Sequence, residues 1–103
     1  MKRTLIIVAL LLGGYLAAFG QEFERMVFTA EDGTELNYRL LRPAETAKAK
    51  KFPLIIFLHG LGERGTDNDR QLTWGGNMFL NPVNMEKYPA YVLCPQCPET
   101  AFW

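Results

Sequence analysis

Serine is absent from all 103 residues of this chain, histidine occurs once and cysteine twice. Without serine, the chain brings no serine nucleophile of its own. Cys94 and Cys97 would need two further ligands to hold zinc, and the only histidine, His59, belongs to a different motif. An excess of charge is missing too. Lys+Arg and Asp+Glu number 11 each, so nothing suggests a nucleic-acid partner. There is no internal repeat and no low-complexity tract. An apolar share of 49% argues against disorder, and the length allows at most one small domain.

Some of that apolar content is not part of a fold. Met1-Lys2-Arg3 is a positive start, Leu5 to Leu12 is wholly apolar, and Ala18-Phe19-Gly20 offers small residues for cleavage. This is the three-part plan of a secretory signal peptide over residues 1–20, leaving residues 21–103 as the mature domain. A retained membrane anchor is the competing reading. The apolar run is interrupted by Gly13-Gly14 and falls short of the roughly 20 residues that a spanning helix needs. The expectation is a secreted or periplasmic protein that meets a membrane only through its signal peptide.

Export implies an oxidising compartment, which bears on Cys94-Pro95-Gln96-Cys97. The spacing is that of a thioredoxin-type redox site, but such a motif opens a helix. Here it follows the strand-like run Tyr91-Val92-Leu93, and Pro95 and Pro98 keep the chain extended. An extended chain holds the two Cα atoms too far apart for a disulfide. Both cysteines are read as structural.

Phe23 to Thr29 is aromatic and β-branched enough for a strand, and Glu31-Asp32-Gly33 is a tight-turn signal. Leu36 to Leu40 alternates apolar and polar, as a half-exposed strand does. A lysine-rich connector, Ala44 to Lys51, leads to the apolar run Leu54–Leu58, which reads as a strand buried on both faces. Asn68 to Leu80 is a helix candidate damaged by Gly75-Gly76, and Tyr91 to Leu93 is a further strand. The fold class that follows is α/β: a β-hairpin at one edge, then parallel strands joined by a crossover. A strand buried on both faces demands helices on both, and this chain offers at most one. The core therefore reads as incomplete, as in a fragment or a truncated product.

Gly60-Leu61-Gly62-Glu63-Arg64-Gly65 matches the dinucleotide-binding G-x-G-x-x-G. The context fails it, because Thr66-Asp67-Asn68-Asp69-Arg70 is polar and turn-like where a helix should open. A different resemblance rests on longer segments. Phe52 to Asn68, with His59-Gly60-Leu61-Gly62 closing the apolar run, resembles exported esterases of the α/β-hydrolase fold. More narrowly it is similar to the group of phospholipases/carboxylesterases, poly(3-hydroxybutyrate) depolymerase-like enzymes and predicted peptidases. Tyr88 to Pro98 is similar to that group's next strand and its Pro-Gln-Cys-Pro exit.

The resemblance implies a larger, mostly parallel sheet with a Ser–Asp–His triad whose serine sits in G-x-S-x-G. This chain would supply the N-terminal half of such a domain and not its nucleophile. The Leu61 backbone N–H would be the first oxyanion-hole donor, with Gly60 and Gly62 shaping the loop and the second donor following the missing serine. His59 would hold the loop rather than act as base. Glu63, Arg64, Asp67 and Asn68 would brace it through mutual hydrogen bonds and charge pairs, with a substrate contact by Arg64 the lesser alternative; Trp74 would pack, and Trp103 would line a substrate pocket. No cofactor or metal is implied; the partner is a small-molecule or polymeric ester once the domain is complete. The alternative function is a small exported binding or interaction protein without catalysis.

Overall fold

A computed structural model describes residues 21–44 and 51–103. The expected signal peptide, residues 1–20, and most of the lysine-rich connector, residues 45–50, lie outside the described residues.

Strands β1 (Glu24–Thr29) and β2 (Glu35–Leu41) form the expected antiparallel hairpin, with Glu24 opposite Leu40 and Thr29 opposite Glu35. Its turn is closed by Ala30 N–H donating to Thr34 C=O at 2.8 Å, while the Asp32 carboxylate accepts from Thr34 N–H at 2.9 Å. Strand β3 (Leu54–Ile56) pairs parallel with β4 (Tyr91–Pro95), and β4 pairs antiparallel with β2. The order β1-β2-β4-β3 puts the hairpin at one edge and the parallel pair at the other. This is the α/β arrangement that the sequence pattern implies.

Side chains alternate between the two faces of a sheet, and here the faces differ in cover. On one, Leu41, Val92 and Cys94 are buried with Phe23 beneath Phe57, Leu72, Phe79, Leu80 and Met85. Phe57 and Phe79 meet edge to face at 5.7 Å, a favoured aromatic geometry. The other face carries Phe28, Leu36, Tyr38, Leu40, Leu54, Leu93 and Pro95 around an open hollow of about 440 Å³. None of the described residues covers it.

That bare face explains the main departure from expectation. The strand read over Leu54–Leu58 as buried on both faces is three residues long, and Leu54, Ile55 and Ile56 are 56%, 37% and 58% exposed. Among the described residues β3 is an edge strand with β4 as its one neighbour. An apolar pattern records the cover a strand requires, not the cover it has.

The crossover also departs from a single helix over Asn68–Leu80. It contains a 3₁₀ turn (Arg70–Leu72), helix α1 (Gly76–Leu80) and helix α2 (Pro82–Lys87). The break lies at Gly75, whose φ of +104° ends any continuous helix, and Asn68 is left-handed at φ +54°. α2 begins where the Asn81 side chain accepts from Val83 and Asn84 N–H, with Pro82 at the first turn, the preferred start of a helix. Trp74, read as a packing residue, is 72% exposed.

Candidate functional site

β3 and β4 run side by side, so their carboxyl ends release two segments next to each other. In open α/β sheets such crevices are where ligands bind. Residues 57–66 leave β3 and residues 96–103 leave β4. Between them lies a pocket of about 200 Å³ lined by His59, Gly60, Leu61, Arg64, Cys97, Phe102 and Trp103.

His59 is the latch between the segments. It is buried; its Nε2 accepts from Cys97 N–H at 2.9 Å, and its Nδ1–H donates to Gly60 C=O at 2.6 Å. Those two bonds together require the neutral Nδ1–H tautomer. With both ring nitrogens engaged, His59 has no lone pair with which to take a substrate proton. The His59 carbonyl accepts from Trp103 Nε1–H at 3.1 Å, and the two rings lie 5.2 Å apart. One residue therefore ties the loop to Cys97 and positions Trp103.

Beyond the latch the chain makes a 3₁₀ turn, Leu61–Glu63. The N–H groups of Leu61 and Gly62 have no acceptor among the described residues, and Leu61 is 64% exposed. Neither Gly60 nor Gly62 has a positive φ, and the space a side chain would take at Gly62 is empty. A Cβ on Gly60 would meet Glu63 Oε2 at 3.1 Å, but the glycine constrained by its backbone angle is Gly65. It has a φ of +155°, is buried with Gln96 Nε2 3.4 Å from where a Cβ would sit, and donates its N–H to Cys97 C=O at 3.0 Å.

The brace beneath the loop is a polar network whose hub, Gln96, was not singled out in the sequence. Its Oε1 accepts from Asn68 N–H at 2.7 Å, and its Nε2 donates to Asp67 Oδ1 at 2.7 Å and Glu63 C=O at 3.2 Å. The Gln96 amide, helped by the N–H groups of Asp69 and Arg70, holds the Asp67 carboxyl down at about 2. Asn68 Oδ1 accepts from buried Gln71 at 2.6 Å, and the Asn68 amide reaches back to Met26 and Tyr38 C=O. Arg25 and Arg39 both meet Asp69 at 2.7 Å; Arg25 first, then Arg39, keeps that carboxyl below its ordinary value. The network thus fastens the loop to the hairpin. The four expected braces do not pair with one another: Arg64, Asp67 and Asn68 bond through their side chains to other residues, and Glu63 contributes only its carbonyl, to Gln96. The only signal for Gln96 was its place in Pro-Gln-Cys-Pro, which says nothing of its partners.

Arg64 donates from Nε to Leu61 C=O at 3.1 Å and from Nη1 to Glu99 and Ala101 C=O at 3.0 Å each. Cys94 and Cys97 are free and buried. Burial pushes the Cys94 thiol up to about 11, so it is no nucleophile near neutral pH. Among the described residues, no group of three or more His, Cys, Asp or Glu lies close enough to hold a metal ion. The crevice can therefore offer backbone N–H donors, a cation and an aromatic wall.

No family model matches the chain, and no curated protein matches it. Among solved structures it is similar to the crystal structure of a thermostable esterase, with 39% sequence identity and a TM-score of 0.71 over 79% of this chain. The match covers 22% of that esterase, so this chain spans about a fifth of the protein it resembles. The four-stranded mixed sheet has the fold of part of an α/β-hydrolase esterase.

Proposed function

We propose that this chain is the N-terminal, oxyanion-loop-bearing part of an exported serine hydrolase that cleaves carboxylic esters. The observation that carries the reading is the latched loop at the β3 carboxyl end, where Leu61 N–H has no acceptor among the described residues. An oxyanion hole needs such a donor, fixed in advance and aimed at the oxygen that becomes negative. His59 and Arg64 do the fixing, and neither must move during the reaction. Gly60 and Gly62 keep side chains away from the approach to the donor. Trp103, tied to the His59 carbonyl, forms the wall for the acyl or aromatic portion of the ester. The likeness to an esterase supports the same chemistry.

The nucleophile comes from outside these 103 residues, since the chain has no serine. In the complete enzyme a serine, activated by histidine and aspartate, attacks the ester carbonyl, and Leu61 N–H stabilises the tetrahedral oxygen. The leader directs the protein to the periplasm or exterior, so the exported form begins at Gln21. The reaction as proposed uses no cofactor or metal.

The test has two arms. The purified 103-residue chain turns over p-nitrophenyl acetate no faster than background and takes no label from a serine-directed phosphonate; labelling of the chain refutes the missing nucleophile. In an enzyme where the chain is joined to its serine-bearing strands, Leu61→Ala retains most of the turnover, because the backbone donor survives. Leu61→Pro deletes that N–H and costs on the order of 10²–10³ in kcat. A Leu61→Pro enzyme with native circular dichroism and near-normal kcat removes Leu61 from the oxyanion hole.

A further inference from the structure

Arg64 stands apart from the other arginines among the described residues. Arg25 and Arg39 each pair with Asp69 at 2.7 Å, Arg42 with Glu24 at 2.7 Å, and Arg70 with Asp67 at 3.5 Å. Arg64 has no carboxylate within ion-pair distance among those residues. Its partners are the carbonyls of Leu61, Glu99 and Ala101, and its Cζ lies 4.7 Å from the centre of the Phe102 ring. Carbonyl dipoles orient a guanidinium without cancelling its unit charge. Its other terminal nitrogen, Nη2, has no acceptor among the described residues. This half-buried cation lines the same pocket as Leu61 and Trp103.

A guanidinium clamped by three carbonyls and a ring has already lost most of its side-chain freedom, so a ligand need not order it. Hydrogen bonds between a guanidinium and a carboxylate are about twice as strong as neutral ones. A cation with no carboxylate in ion-pair distance among the described residues, beside an aromatic and aliphatic wall, favours a ligand that brings both a negative group and an apolar body. We infer that Arg64 makes this pocket selective for compounds with a carboxylate beside an aromatic or aliphatic group, with Trp103 and Leu61 holding that group. This rests on the pocket being the substrate site proposed above. The esters preferred by the complete enzyme then keep a free carboxylate, separate from the bond that is cleaved.

Charge can be tested at constant shape. Trp74→Phe leaves Trp103 as the one indole of the two in the chain, and its fluorescence reports the pocket. The full 103-residue chain is titrated with 3-phenylpropionate and with its neutral isostere, 3-phenylpropionamide. The carboxylate is expected to bind about tenfold more tightly, with the preference abolished in Arg64→Gln and retained in Arg64→Lys. Equal binding of the two probes overturns the selectivity but leaves the pocket standing. A carboxylate preference that persists in a folded Arg64→Gln chain also overturns it, because the loop N–H groups then hold the anion. If Arg64→Gln does not fold, Arg64→Lys decides, and loss of the preference there overturns the inference. No response of Trp103 to either probe sinks both the selectivity and the substrate-pocket reading.

Discussion

At the scale of single residues, the loop is held less by its own motif than by partners distant in sequence. His59 meets Cys97 and Trp103, and Asp67 and Asn68 meet Gln96. His59-Gly60-Leu61-Gly62 was legible because glycines after an apolar run are a recognisable exit. Gln96 was not legible, because a glutamine between two cysteines carries no pattern of its own. Asp67 allows a direct test of the brace. Its carboxyl is lowered in the folded chain from 3.8 to about 2, so its charge contributes stability above pH 3.8. That contribution is lost as pH falls through about 2. Asp67→Asn keeps an oxygen for Gln96 but cannot titrate, so its stability should depend less steeply on pH across that window. Urea midpoints measured at successive pH values give both slopes, and identical slopes would count against the assignment.

Among the elements, the hairpin followed its sequence most closely. Its alternation and its Asp32-Gly33 turn are local signals, and local hydrogen bonds complete it. The crossover was harder to read, since three short pieces replace one helix. Gly75 is the reason, and it is required twice over: its φ is +104°, and an added Cβ would sit 3.0 Å from Phe57 Cζ. Gly75→Ala is expected to destabilise the fold by about 1–3 kcal/mol. Gly62→Ala, with no positive φ and nothing within 4 Å of the new Cβ, should leave the unfolding midpoint nearly unchanged. A Gly75→Ala chain as stable as Gly62→Ala would mean that this turn tolerates an ordinary residue.

Over the whole molecule, the asymmetry of the sheet dominates. One face is packed by the crossover and the other is open, so equal side chains on the two faces should differ in worth. Leu41, 1% exposed, belongs to the packed face, and its replacement by alanine should cost about 2–5 kcal/mol. Leu54, 56% exposed on the open face, should cost no more than about 0.5 kcal/mol in the same change. Denaturant unfolding of the two variants gives the comparison. A large loss for Leu54→Ala would reveal that something covers the open face in solution.

The amino-acid order by itself determined the α/β class, the hairpin, the parallel pairing of the two later strands and the place of the glycine loop. Each depends on periodicity, turn residues or strand length, which act over a few neighbours. Tertiary structure alone decided that β3 is an exposed edge, that Gln96 is the hub of the brace, and that Arg64 has no acidic partner among the described residues. Burial and pairing are properties of what lies across space. Gln96 and Asp67 are 29 positions apart, yet their side chains meet at 2.7 Å. No local pattern encodes that meeting; the sheet order creates it by bringing the exits of β3 and β4 together.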